Sequence, residues 1–497
     1  MKRAIIIFTR LPLLGETKSR LRDFLPPLKI QALSYRLLCQ NVKEAKRVKA
    51  DRIFWVTSQS KAYQLKDFLP LDQEKVYEQI DAGLGDRMAF AIGKALEDGY
   101  EQVLLIGSDL ADLTAELMEE AFTALTKNDV VISPTADGGY GLIGMSSLYP
   151  EIFALKHYGG ETVYQQVLKK ASDLSLELGS IGLIHDVDTK EDLVRLLTND
   201  PTATFLAQGE YNANFVLDKG RKIFRVALGS QMHLDHQIAY EYQALKLLEP
   251  SLVTPRVEGL YHDLNYTDLD YLIEEFLPGR PLDYQKDSLK AAHLLAKVHN
   301  VPVPKGHGLL EAKEPFAVMY DEFLTMFQHY QDWTGKDKKV EARIKALLEQ
   351  LQNYDMNIGL KNPCIINTEL NAGNFLINED GPSYIIDWEK PIIGEREQDL
   401  AHFLAPTTTL WKTDYLYDKE AIEEFLEAYN AVSQIPVDRR KLEQYLKFTC
   451  LRGITWCAMA YVQYQEAEKL GLNEESFKVI SSYLTDDFLK MIEHYFK

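Results

Sequence analysis

Short β-branched apolar runs alternate with longer stretches of helical spacing through the first two hundred residues. Ile5-Ile6-Ile7-Phe8 reads as a strand, residues 29–49 as a helix, and Ile53-Phe54-Trp55-Val56-Thr57 as a second strand. A helix over 86–98, the strand Val103-Leu104-Leu105-Ile106, a helix over 114–126 and the strand Val130-Val131-Ile132 follow. Thr114 ahead of Glu116 and Leu117 is a helix-start signal, with the acid near the positive end of the helix. This alternation predicts an α/β fold with a mostly parallel sheet covered on both faces. Ligands of such a sheet bind beyond the carboxyl ends of its strands.

The pattern changes near residue 200. Asn199-Asp200-Pro201 ends a helix over 189–198, and Phe205 to Val216, Asp218-Lys219-Gly220 and Arg221 to Leu228 read as two strands around a tight turn. A helix over 237–249 and the strand Leu272-Ile273-Glu274-Glu275-Phe276 come next. From about 283 onward the chain is largely helical, broken near 364–388 by two short apolar runs. The expected division is a first domain over 1–200 and a second over 201–497.

Composition narrows the classes. Of 497 residues, 46% are apolar and 26% charged, which excludes disorder for most of the length. A net charge of -19 disfavours nonspecific binding to nucleic acid or to an anionic membrane. Cys39, Cys364, Cys450 and Cys457 lack CxxC spacing and are too few for a disulfide framework. The apolar run Ala4 to Phe8, bounded by Arg10, is too short for a signal-peptide core or a membrane span. The expectation is a soluble, cytoplasmic protein whose partners are small molecules.

Candidate chemistry begins after the first strand. Thr9 to Arg22 carries Arg10, Lys18, Arg20 and Arg22 but one glycine, so it lacks the dinucleotide-binding GxGxxG. A basic loop at a strand end neutralises polyphosphate, Lys18 as a point charge and Arg20 as a bidentate donor. Asp109, just past an apolar strand, places a carboxylate in the ligand crevice, where such groups hold Mg²⁺ against substrate phosphates. Asp112 reads either as a second ligand or as a helix cap. Asp137-Gly138-Gly139-Tyr140 gives a tight loop, and Asp186 and Asp188 precede a helix.

Together FTRLPLLGETKSRL, QIDAGLGDRM, LLIGSDLADLT, VVISPTADGGYGLIG and HDVDTKEDL resemble, in order, a family within the nucleotide-diphospho-sugar transferase superfamily. That family is similar to the guanylyltransferases of phospholactate activation, and the resemblance spans about 3–197. It implies a Rossmann-like glycosyltransferase-A domain. It further implies a phosphate loop at Arg10, Lys18 and Arg20, a nucleotide-side loop at Gln79, Gly83 and Arg87, a metal aspartate at Asp109 and a second metal contact at Asp188.

In the second half, Arg225 on a strand and Glu241 on the next helix repeat the base-and-carboxylate pair with which kinases hold nucleotide phosphates. The alternative reading of this Arg/Glu combination is a surface ion pair. The stretch Cys364 to Ile377, then Ile385-Ile386-Asp387-Trp388-Glu389, then Asp399-Leu400-Ala401, resembles the catalytic core of the aminoglycoside phosphotransferase and choline kinase family. YLIEEFLPGRPL resembles its hinge and LLAKVHN its preceding helix, so the likeness spans about 203–480. The resemblance implies a protein-kinase-like α+β domain using ATP, with Asn374 and Asp387 as metal ligands. The family pattern His-Gly-Asp-Leu-His-x-Gly-Asn is altered. Asn367 replaces the first histidine, Glu369 the catalytic aspartate and Asn371 the second histidine. Glu369 retains a carboxylate but moves it by about 1 Å, a displacement that can cost about 10²-fold in rate.

The combined expectation is a bifunctional enzyme. The first domain transfers a nucleotidyl group from a nucleoside triphosphate, with Mg²⁺ or Mn²⁺, to a phosphorylated small molecule. The second phosphorylates a small alcohol or amine with ATP, at a rate weakened by its altered loop. The alternative is a sugar-nucleotide-dependent glycosyltransferase fused to a non-catalytic kinase-like binding domain.

Overall fold

The computed structural model describes residues 1–57, 62–71, 73–466 and 474–496. The chain divides into two compact units, Met1–Gly220 with Tyr261–Asp270, and Arg221–Leu260 with Tyr271–Lys497.

In the first unit the elements run β1 (Arg3–Thr9), α1 (Pro27–Arg47), β2 (Asp51–Val56), β3 (Lys75–Glu78), α2 (Leu84–Glu97), β4 (Gln102–Ile106), α3 (Ala115–Ala124) and β5 (Val130–Pro134). They continue with β6 (Tyr140–Met145), α4 (Val163–Asp173), β7 (Leu178–Ser180) and α5 (Lys190–Thr198). The seven strands form one sheet in the order β3-β2-β1-β4-β6-β5-β7. Pairing is parallel from β3 to β4, while β6 runs antiparallel to both β4 and β5. The sheet is therefore mixed, and β6 departs from the sequence expectation. Its turn is the Asp137-Gly138-Gly139 segment, and Gly141 lies where an added Cβ would meet Ile184 and Leu110 at 2.5 and 2.6 Å.

Alternate strand residues bury on opposite faces, as the two-residue period of a strand requires. Ile5 and Ile7 pack with α1 and α3 through Leu38, Val42, Met118 and Phe122. Ala4 and Ile6 pack with α2 and α4 through Met88, Ile92 and Val167. Thr114 caps α3 by accepting from Leu117 N, as the sequence predicts. The run 205–216 is not one strand. Thr204–Gln208 (β8) and Asn212–Leu217 (β9) pair antiparallel about a turn at Gly209, whose N–H donates to Asn212 O.

In the second unit, β10 (Lys222–Ala227) pairs antiparallel with β12 (Asp270–Glu275); α6 (Gln237–Leu248) and β11 (Val257–His262) lie between them in sequence. The helices α7 (Tyr284–His299), α8 (Pro315–Asp332) and α9 (Lys338–Leu351) follow. The two apolar runs near 364–388 form short strands: β13 (Cys364–Ile366), β14 (Phe375–Leu376) and β15 (Tyr384–Ile385), with β16 (Ile392–Gly394) just beyond. β13 pairs with β16 and β14 with β15, holding the intervening loops in place. Helix α10 (Arg396–Leu404) supports those loops from below, within a core that includes Phe323, Ile365, Phe375, Phe403 and Phe448. All four cysteines are free thiols. Among the described residues, no helix is long and apolar enough to cross a membrane.

Candidate functional site

Strand β1 is flanked by β2 on one side and β4 on the other, both parallel to it. Chain order thus reverses beside β1, and open α/β sheets bind ligands outside the carboxyl ends of their strands at such a reversal. The residues leaving β1 and β4 line a cavity of about 500 Å³ there, bounded by Arg10, Lys18, Arg20, Gln79, Arg87, Asp109 and Asp188 among others. The cavity brings together the predicted side chains from separate loops.

Lys18 adopts a left-handed backbone (φ 45°) ahead of the short turn Ser19–Leu21, which turns its side chain inward to 6% exposure. Its Nζ donates to Val187 O at 2.5 Å and lies 3.4 Å from Asp109 Oδ2 and 3.6 Å from Asp188 Oδ1. Arg20 is exposed, 3.9 Å from Asp188 Oδ2. Asp188 reaches this point because residues 185–188 run beside 109–111. Ala111 N donates to His185 O, and Val187 N donates to Asp109 O. On the opposite wall Gln79 is buried; its amide donates to Trp55 O and accepts from Arg87 Nη1 at 2.9 Å. Gln79 therefore orients Arg87, whose buried Nε has no partner among the described residues. Gly83 caps the N-terminus of α2 nearby.

Asp112 neither caps the helix nor reaches the cavity. It accepts from His185 N and pairs with His185 Nδ1 at 2.7 Å. The helix after Asp186 and Asp188 is capped by Thr189 with Asp192, so both aspartates are released from capping duty. Burial pushes the Asp186 carboxyl up to about 7, aided by Asp137, Asp109 and Asp188. Burial raises Asp188 as well, against the pull of Lys18. Among the described residues, no three His, Cys, Asp or Glu side chains form a metal cluster. The donor set is a pair of carboxylates around one ammonium.

A second candidate site lies in the other unit. Arg225 Nε bonds Glu241 Oε2 at 2.7 Å and its Nη2 bonds Asp387 Oδ1 at 2.9 Å. The pair is buried, at 9% and 1% exposure, so the surface-pair reading does not hold. Burial opposes the guanidinium charge, but Glu241 and Asp387 hold it protonated. Burial also lifts Glu274 and Glu389 to about 7 beside this group, with Asp387 adding to both.

The altered loop is tightly built. Asp399, fully buried on α10, accepts from the backbone N–H groups of Asn367 and Thr368 at 2.8 and 2.9 Å. That holds Thr368 at φ 71°, a strained position for a β-branched residue. Asn367 Nδ2 donates to Asp387 O, and Glu369 is paired with Lys390 at 2.6 Å. Asn371 and Asn374 cap each other, and Ile386 N donates to Asn374 O, placing the Asn374 and Asp387 segments side by side. His299 lies 3.3 Å from Asp399 and accepts or donates to the Tyr429 hydroxyl, a structural role. No local sequence pattern gives Asp399 this supporting role. Replacing it with alanine leaves two buried N–H groups unpaired, so Asp399→Ala is expected to destabilise the second unit by about 3 kcal/mol, read by urea denaturation.

Comparisons with known proteins match the two parts of the chain to different families. Residues 41–159 match a family described as an uncharacterized protein conserved in bacteria (DUF2064), and residues 202–445 match the phosphotransferase enzyme family. Among solved structures, a candidate nucleotide-diphospho-sugar transferase from Desulfovibrio desulfuricans is 33% identical over 41% of this chain and 90% of its own, with a TM-score of 0.38. Spectinomycin phosphotransferase, solved with ADP and spectinomycin, is 18% identical over 61% of this chain and 97% of its own, with a TM-score of 0.45. A candidate aminoglycoside phosphotransferase from Ralstonia eutropha is 13% identical over 59% and 92%, with a TM-score of 0.46. No curated protein matches. The N-terminal part is related to the nucleotide-diphospho-sugar-transferase-like fold. The C-terminal part is similar to the phosphotransferase enzyme family over residues 202–445.

Proposed function

We propose that the first unit is a metal-dependent nucleotidyltransferase acting on a phosphorylated small molecule, and that the second is an ATP-dependent phosphotransferase for a small alcohol or amine. The observation that carries the first reading is the cavity beside β1, which Arg10, Lys18, Arg20 and Arg87 line together with Asp109 and Asp188. Four cations suit the charge of a triphosphate better than that of a diphosphate.

In this reaction an oxygen of the acceptor phosphate attacks the α-phosphorus of the triphosphate. The new P–O bond forms as the bond to the β-phosphate bridge breaks, and pyrophosphate leaves with that electron pair. The acceptor is already anionic, so no protein nucleophile or base is needed, and alignment and charge neutralisation do the catalysis. Lys18 and Arg20 would meet the phosphates from the β1 side and Arg87 from the α2 side, with Gln79 bonded to Arg87. Asp109 and Asp188 fit Mg²⁺ or Mn²⁺, because their negative charge already gathers an ammonium between them. Such an ion would neutralise charge on the phosphates.

In the second unit Arg225 would hold nucleotide phosphates, Glu369 would accept the substrate proton, and Asn374 and Asp387 would supply oxygen ligands to the metal. A second reading, ligand binding without transfer, is favoured by the ion pairs that already occupy Asp387 and Glu369.

Products separate these readings. Pyrophosphate release from a nucleoside triphosphate is expected of the first unit. Release of a nucleoside diphosphate from a sugar nucleotide would instead make it a glycosyltransferase. ADP formation dependent on an alcohol or amine, lost in Glu369→Ala, is expected of the second unit; binding without ADP formation would favour the second reading.

A further inference from the structure

A second chamber of about 240 Å³ opens from the first and shares Phe8, Leu84, Gly107 and Asp109 with it. The two chambers differ in charge. The first is lined by Arg10, Lys18, Arg20 and Arg87 against Asp109 and Asp188. The second is lined by Asp109, Asp137 and Asp186 and, among the described residues, by no lysine, arginine or histidine.

The chamber is built by close backbone approach. Gly138 holds φ 86°, and a Cβ there would fall 2.2 Å from Glu161 O, so the loop before β6 and the start of α4 meet at glycine distance. Tyr164 N donates to Gly138 O at 2.9 Å across that contact. Aromatic side chains Phe8, Tyr140 and Tyr158 supply much of the remaining wall. Both hydroxyls are turned to internal partners, Tyr158 to Phe153 O at 2.8 Å and Tyr140 to Met88 Sδ at 3.6 Å. Asp137 Oδ1 accepts from Thr135 Oγ1 and Gly139 N, while Asp186 has no ion-pair partner among the described residues.

We propose that this chamber receives the cationic body of the acceptor, so that the substrate is a phosphate monoester of an amine or quaternary ammonium alcohol. Its phosphate lies toward Lys18 and its cation lies between Asp137, Asp186 and the aromatic rings. Carboxylates beside ring faces are how proteins recognise ammonium groups, and they repel an anionic body. This inference rests on the nucleotidyltransferase reading for the acceptor's phosphate. The chamber's preference for a cation is measurable without turnover.

Calorimetry on the full chain with phosphocholine, phosphoethanolamine, glycerol 3-phosphate and phosphoglycolate tests it, alongside pyrophosphate release with the same four. A cationic ester is expected to bind at least 10-fold more tightly than the neutral-bodied or anionic ones. Asp186→Asn and Asp137→Asn should each erase most of that preference. Circular dichroism confirms that the variants fold, and the wild-type comparison among the four esters stands even where a variant does not. Equal affinity for all four, tighter binding of phosphoglycolate, or a cation preference unchanged in both folded variants would overturn the proposal. Cation preference without pyrophosphate release from any ester would leave the chamber assigned and sink the nucleotidyltransferase reading.

Discussion

Arg225→Met is expected to destabilise the second unit by about 3–5 kcal/mol, because it leaves the buried Glu241 carboxylate without its cation. The guanidinium bonds Glu241 and Asp387 directly, and Glu274 lies close enough to feel its charge. Burial already pushes Glu274 up to about 7 with the cation present. The urea midpoint of the transition that Asp399→Ala also shifts reads the effect. A double variant, Arg225→Met with Glu241→Met, should recover a large part of the loss, since an apolar pair carries no desolvation penalty. Arg225→Lys should fold but bind one carboxylate in place of two. A small shift in Arg225→Met would mean that the carboxylates around it are solvated.

Lys18→Met is expected to lower kcat/KM for pyrophosphate release by about 10²–10³-fold, the usual cost of one preorganised donor on developing phosphate charge. The backbone of Lys18 is left-handed and its ammonium is buried against Asp109, Asp188 and Val187 O, so no neighbouring cation can take its place by rotation. Arg20→Ala, at an exposed position farther from the carboxylates, should cost less. A Lys18→Met enzyme with wild-type kinetics would remove this residue from the phosphate site.

Much of this site was legible along the chain because its parts sit at ends of strongly apolar strands. β1 and β4 are nearly continuous buried runs, so the residues that leave them, Arg10 to Arg20 and Asp109, are placed by the sheet itself. The antiparallel β6 was harder to see. It begins at the end of a glycine turn and carries Gly141 and Gly144, residues that weaken a strand signal even where close packing demands them. The split of 205–216 into β8 and β9 was hidden by a turn with one glycine, and β13 to β16 are two or three residues long, below the reach of any periodicity.

Roles that depend on tertiary partners were the least legible. Asp186 and Asp188 look like helix-start residues, and only the Thr189–Asp192 capping box frees them to face the cavities. Asp112 looks like a ligand and instead ties down His185. Asp399 lies more than thirty residues from the loop it holds, and no local pattern links the two.

As a nucleotidyltransferase, the first unit must bind a nucleoside triphosphate together with a metal ion. This binding is tested most directly by thermal stabilisation of the full chain carrying Asp387→Asn, a change confined to the second candidate site, with ATP, CTP, GTP, UTP and common sugar nucleotides, each with and without Mg²⁺. A ligand that binds the folded state raises its melting temperature without any need for an acceptor. Stabilisation by one triphosphate that requires Mg²⁺ and disappears on Asp109→Ala is the predicted result. Stabilisation by a sugar nucleotide alone, or a triphosphate effect untouched by Asp109→Ala, would contradict the account.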